Sequence, residues 1–151
     1  MDLGIYPIYL ASYLFGEPNS CQYKARQLPN TIDTTGFGRL DYNNFSIQLA
    51  ISKETNSLSP FELYTTDGVL VANHCQMIDT VQYRGYDEQI TDIPVTKPSH
   101  YLIDEVQHFS HIIRTKNHQE EQRLLSLSHS SQRILWDMRQ SAGIQFTGDH
   151  I

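Results

Sequence analysis

Apolar positions along the chain change period twice. Between Asp2 and Gly16, Ile5, Ile8, Tyr9, Ser12 and Tyr13 recur at spacings of three and four, which is one face of a helix. The spacing predicts a helix over 3–16. Asp2 is read as its cap, accepting a hydrogen bond from a first-turn amide. Pro7 is tolerated because it stands close to the helix start, where its missing N–H costs little. Gly16, with Pro18 two residues beyond, is the stop.

From residue 21 the period becomes two. Cys21, Tyr23 and Ala25 alternate with Gln22, Lys24 and Arg26. The run Phe37–Tyr42 leads into Asn43-Asn44, a turn signal. Phe45, Ile47, Leu49 and Ile51 then face one way, and Ser46, Gln48, Ala50 and Ser52 the other. Lys53–Pro60 reads as a polar loop. Phe61, Leu63 and Thr65 lead to the hairpin signal Asp67-Gly68, with Val69 and Val71 on the return strand. Further β-like runs cover Met77–Tyr83 and Glu88–Val95, and Pro94 and Pro98 close the strand region.

The helical period then returns. Leu102, Val106, Phe109 and Ile113 share a face, flanked by Ile103 and Ile112, and predict a helix over 101–115. After a polar connection, Thr115–Gln119, a last helix over 121–141 points Leu124, Leu127, Ile134, Leu135 and Met138 inward and stops at Gly143. Short turns between consecutive strands make them mostly antiparallel, because parallel pairs need long crossovers. Strands in one block and helices at the ends predict an α+β fold: an open, mostly antiparallel β-sheet of about six strands, with helices on one face and the other face available for dimerisation.

Composition narrows the function classes. The chain has 151 residues and suits a single domain, 1–151. With 39% hydrophobic and 11% aromatic residues it is too apolar for a disordered chain. Eleven Lys+Arg against 17 Asp+Glu give a net charge of −6 with no basic run, which argues against nucleic acid and against an anionic membrane surface. Two cysteines, Cys21 and Cys75, make no disulfide framework, so a reduced, cytoplasmic protein is expected. No apolar run approaches a membrane span. The greasy Ile5–Phe15 lacks the basic segment that precedes a signal-peptide core.

Most candidate motifs have bland readings. Gly36-Phe37-Gly38 lacks the third glycine and the following helix of a dinucleotide loop, and reads as a strand or turn pair. His108 and His111, or His74 beside Cys75, lack the three or four convergent ligands of a zinc site, so no metal is expected. Nothing near Cys75 supports a thiol nucleophile. The remaining candidate is Asp2-Leu3-Gly4-Ile5-Tyr6-Pro7, which sets a carboxylate, a glycine and a phenol at a helix start. The positive end of the helix dipole favours an ionised phenol there, which suits Tyr6 to acid/base work. The competing reading makes Tyr6 an ordinary core residue.

The segment Asp2–Gly16, followed by Glu17-Pro18, resembles the one that opens the substrate half of the glucose–fructose oxidoreductase / inositol dehydrogenase / rhizopine catabolism family. The strands, including Phe61–Val71 with its Asp67-Gly68 turn, and the ending Asp137–Phe146 fit the same C-terminal domain. The Asp-x-Gly-x-Tyr form is similar to the dihydrodiol dehydrogenase and sugar-oxidoreductase branch. Members are NAD(P)-dependent oxidoreductases with an N-terminal Rossmann domain and a C-terminal α+β domain whose open sheet commonly mediates oligomerisation. The resemblance implies that Tyr6 is the proton-transfer residue and that Asp2 orients the substrate or the helix start. It implies NAD or NADP in a full-length parent, with hydride passing between a substrate carbinol carbon and the nicotinamide.

The dinucleotide loop and the Glu-Lys-Pro segment carrying the family's active-site lysine are absent, so the resemblance reads as the last half of such an enzyme. The expectation is a substrate-binding and oligomerisation domain for a sugar, polyol or diol, forming a homodimer or larger through the sheet face. Alone it is expected to bind no cofactor and to be inactive. One alternative is a stand-alone, non-enzymatic oligomerisation or small-ligand-binding domain derived from that family. Another is a small α+β cone that binds or isomerises an apolar ligand.

Overall fold

Helix α1 (Ile5–Phe15) follows a single 3-10 turn over Asp2–Gly4. The helix buries Ile8, Ala11 and Ser12 and ends at Gly16, whose φ of 75° places it in the left-handed region that glycine enters without steric cost. Gly4, rather than Asp2, occupies the cap position, and no side chain caps the helix. This corrects the sequence expectation. The Asp2 carboxylate has an ammonium partner instead of a first-turn amide. The computed structural model describes residues 2–55, 61–97, 100, 102–146 and 148–149; residues 56–60 of the expected polar loop, and Pro98, lie outside them.

Among the described residues seven strands follow: β1 (Ser20–Gln27), β2 (Asp33–Asp41), β3 (Ser46–Ser52), β4 (Phe61–Tyr64), β5 (Gly68–Ala72), β6 (Val81–Gly85) and β7 (Ile90–Ile93). Two helices close the order, α2 (Ile103–Thr115) and α3 (His118–Ser141). All strand pairings are antiparallel, as the short turns require. The fold is α+β, as expected. The strands pair in two groups, however, a three-stranded sheet β1-β2-β3 and a four-stranded sheet β4-β5-β6-β7. The run from Met77 becomes strand only at Val81, because Asn73 Oδ1 accepts the amides of Asp79 and Thr80 and holds the chain in a loop.

The chain groups into two compact units, one of residues 1–56 and 122–151, the other of residues 57–121. In the first, alternation along β1–β3 works as read. Tyr23, Leu40, Leu49 and Ile51 meet Ile8 and Ala11 of α1, Ile134 and Met138 of α3, and Ile144 in one buried cluster. Each Leu, Ile and Met side chain among them is worth about 1.5–3 kcal/mol of burial. Two glycines let this core close onto β2. A Cβ on Gly36 would overlap the Tyr23 ring, and one on Gly38 would overlap the end of Met138. The pair is therefore a packing device within a strand. Ser131, which the apolar pattern passed over, lies in the buried row of α3 and donates to the Leu127 carbonyl at 2.9 Å. Gly143 ends that stretch at φ 69°.

In the second unit, β4–β7 carry Phe61, Leu63, Leu70, Ala72, Val81, Tyr83 and Ile93 at paired positions of one face. Helix α2 departs from expectation. The shared face of Leu102, Val106, Phe109 and Ile113, read as able to cover a sheet, is exposed, Phe109 by 64%, and Ile112 is the residue the helix buries. Periodicity identifies an apolar face but not what packs against it.

Candidate active site

The start of α1 lies in the first unit, and three elements meet there. The 3-10 turn brings Asp2, the first turn of α1 brings Tyr6, and the end of β3 brings Lys53. Asp2 and Tyr6 are four residues apart, about one helical turn. Tyr6 is 42% exposed. Tyr6 stands partly in solvent, so it is not the core residue of the competing reading. Lys53 Nζ donates to Asp2 Oδ2 at 2.7 Å. The Lys53 ammonium holds the Asp2 carboxyl below its ordinary range, by that hydrogen bond and by its charge. Asp2 is thus an anion four residues before a partly exposed phenol.

α1 is also held at its far end. Tyr42 and Phe45 stack with centroids 4.6 Å apart, and Phe15 meets both rings edge-on at 6.1 and 5.1 Å. Tyr42 Oη donates to the Gly16 carbonyl at 3.0 Å, and Glu17 is bound by Arg133 and Ser130 of α3. Beneath the helix, Tyr23 Oη donates to Asp33 Oδ2 at 2.9 Å, both residues being buried. Burial and then the Asp33 carboxylate push the Tyr23 phenol far above its ordinary range. Tyr23 therefore stays a neutral donor, and its role is structural.

Other chemistry considered from the sequence finds little support. Burial pushes the Cys21 thiol up to about 11 and raises that of Cys75, which disfavours thiolate at either. Among the described residues, no three His, Cys, Asp or Glu gather where they could hold a metal; His108 and His118 face Glu120 and Glu121. A dinucleotide does not fit Gly36-Phe37-Gly38 either. The glycines lie mid-strand in β2, and Tyr23 and Met138 fill the space a pyrophosphate would need. No described helix is long and apolar enough to cross a membrane.

No family model matches the chain. It is 28% identical over 149 residues to the scyllo-inositol 2-dehydrogenase (NADP(+)) IolU of Bacillus subtilis (strain 168), across 99% of its own length and 45% of the relative's. It is 29% identical over 153 residues to the uncharacterized oxidoreductase YgjR of Escherichia coli (strain K12), across 100% of its length and again 45% of the relative's. The chain is thus similar to an inositol dehydrogenase and to a second oxidoreductase. It corresponds to the C-terminal half of these oxidoreductases and spans about 45% of the two relatives' length. The fold agrees: the structure of UDP-N-acetylglucosamine 3-dehydrogenase GnnA from Acidithiobacillus ferrooxidans superposes with a TM-score of 0.71 at 13% identity, over 93% of this chain and 46% of that one.

As candidates, sequence reasoning singled out Asp2 and Tyr6 and missed Lys53, which it assigned to a loop. The signal was present. Residues 47, 49, 51 and 53 are in phase, so Lys53 continues the inward row of β3 by one position.

Proposed function

We propose that this chain is the substrate-binding and assembly half of an NAD(P)-dependent oxidoreductase acting on a sugar, polyol or diol. The observation that carries the reading is the exposed Tyr6 one turn from the Lys53-bound Asp2, in a chain that IolU matches from end to end. Tyr6 takes or returns the proton of the substrate hydroxyl. Asp2, an acceptor at every pH near neutrality, orients that hydroxyl. In this reading the nucleotide-binding half supplies the cofactor site, and the test for this chain alone is that it titrates with neither NAD⁺ nor NADP⁺. Two free cysteines suit a reducing cytoplasm.

Assembly uses the outward face of β1–β3. There Phe37 is 69% exposed and opposite Ala50, and Gln48 lies opposite Arg39. Lys24 and Arg39 border a hollow of about 420 Å³ on this surface, so the face is less neutral than its third strand alone suggests. Its occupant is a second copy.

The test of function is turnover in the oxidoreductase that carries this chain together with its nucleotide-binding half. Inositols, sugars and diols are offered with NAD⁺ or NADP⁺. Reduction of the nicotinamide by at least one polyol or sugar is expected. No turnover across the panel would favour the stand-alone, non-enzymatic domain.

A further inference from the structure

We infer that Lys53 is a positioning residue of the Asp2–Tyr6 site, acting through the Asp2 carboxylate; the inference rests on the functional reading above. The argument begins with the backbone. Lys53 follows the last residue of β3, and its N–H donates to the Thr34 carbonyl at 2.8 Å, extending the β2–β3 ladder by one bond. The next residues are tied as firmly. Ser52 Oγ accepts the amides of Glu54 and Thr55, both at 3.1 Å, and lies 2.9 Å from Thr35 Oγ1. The Cα of Lys53 is therefore set by the sheet.

Direction follows from the pleat. Lys53 is in phase with Leu49 and Ile51, which are buried under the helices. An ammonium in that row must leave the core, and at the end of the strand it reaches the 3-10 turn. That turn has no capping side chain. The far end of α1 has its aromatic cluster and the Glu17 contacts; the near end has Lys53 to Asp2. Two other charges act on Asp2 more weakly than Lys53, the N-terminal ammonium with it and Asp33 against it. Asp33 accepts from Tyr23, and Glu54 binds Arg26 and Thr35.

The pair is exposed, 42% at Lys53 and 75% at Asp2, so it contributes little to stability. What it fixes is the place of a carboxylate near Tyr6. Misplacing a group beside a reacting centre by an ångström can cost roughly a hundredfold in rate. A structural role predicts loss of stability with normal kinetics, and a positioning role predicts the reverse.

Lys53→Met and Lys53→Arg are compared in two experiments. In this chain, the Asp2 carboxyl is followed by NMR against pH. Its titration midpoint is expected to rise in Lys53→Met and to stay near the native one in Lys53→Arg. In the whole oxidoreductase, Lys53→Met is expected to lower kcat/KM roughly tenfold to a hundredfold with the melting temperature unchanged, and Lys53→Arg to restore most of it. An unmoved Asp2 titration overturns the inference. So does kcat/KM within twofold of native in Lys53→Met where Tyr6→Phe is crippled. If Tyr6→Phe is itself fully active, the reading of the site fails, and the Asp2 titration still reports separately whether Lys53 holds that carboxylate.

Discussion

The two compact units spend their apolar residues differently. The unit of β1–β3, α1 and most of α3 encloses its apolar row, with Ile8, Leu40, Met138 and Ile144 at 0–1% exposure. The unit of β4–β7 and α2 buries Val71, Ala72 and Ile112, while Val106, Phe109 and Ile113 of α2 and Ile90 of β7 stand in solvent, each by about three-fifths. The same kind of pattern, i, i+3, i+4, i+7, runs through α2 and α3. Only in α3 does a sheet lined by small residues receive it, with Gly38 making room for Met138. The contrast shows that amphipathicity supplies a face and that complementary space on the partner decides whether the face becomes core. It also places the candidate site: a phenol and a carboxylate that must keep their geometry stand on the enclosed unit.

The comparison breaks most sharply at the end of α3. Arg139 lies between the rings of Trp136 and Phe146, at 4.6 and 4.4 Å, and binds Asp149 through both of its terminal nitrogens at 2.5 and 2.8 Å. Both side chains are about nine-tenths buried. Arg139→Ala removes the cation from the Asp149 carboxylate, which keeps the Phe146 N–H, and is expected to cost about 1.5–3 kcal/mol. Denaturant unfolding measures the loss. Hydrogen exchange should show it in the amides of β1–β3 and α3 and not in β4–β7. A loss shared equally would mean that the two units unfold together.

A smaller effect is expected at Gly36. Gly36→Ala pushes a methyl into the rigid Tyr23 ring and disturbs its bond to Asp33, at a cost of about 1–3 kcal/mol. Thermal melting of the variant checks it, and a neutral result would mean that the ring can move aside. The smallest effect belongs to the other unit. Phe109→Ser removes an exposed ring and should change stability by no more than about 0.5 kcal/mol while improving solubility. A loss above about 2 kcal/mol would show that α2 has a cover in solution. At the outward sheet face, Gln48→Lys with Ala50→Lys should shift a dimer toward monomer in light scattering, because a stable contact needs more than about 1,000 Å² free of opposed like charges.

Much of this was legible in the sequence. The strand alternation at Tyr23 and at Leu49 and Ile51, and the helix stops at Gly16 and Gly143, follow from local rules. So does the strand reading of Gly36 and Gly38, although the residues that fill their space do not. Every described pairing joins strands consecutive in sequence; the sheets divide because β3 and β4 are not paired, and alternation within a strand does not say whether it pairs with the next. Asp2 was placed correctly at the helix start and given the wrong partner, since cap and ion pair draw on the same residue type and only the position of Lys53 separates them. Arg139 looked like one charge in a polar helix turn. Its clasp forms because the chain after Gly143 folds back to bring Phe146 and Asp149 to it.

The central claim is that Tyr6 exchanges a proton with the substrate, and steady-state turnover of Tyr6→Phe tests it most directly. The oxidoreductase carrying this chain is assayed against its own best polyol or sugar. The account predicts kcat lower by roughly 10²–10⁴ with the melting temperature nearly unchanged, since the ring remains and only the hydroxyl is lost. Turnover equal to the native enzyme's at every pH would contradict it.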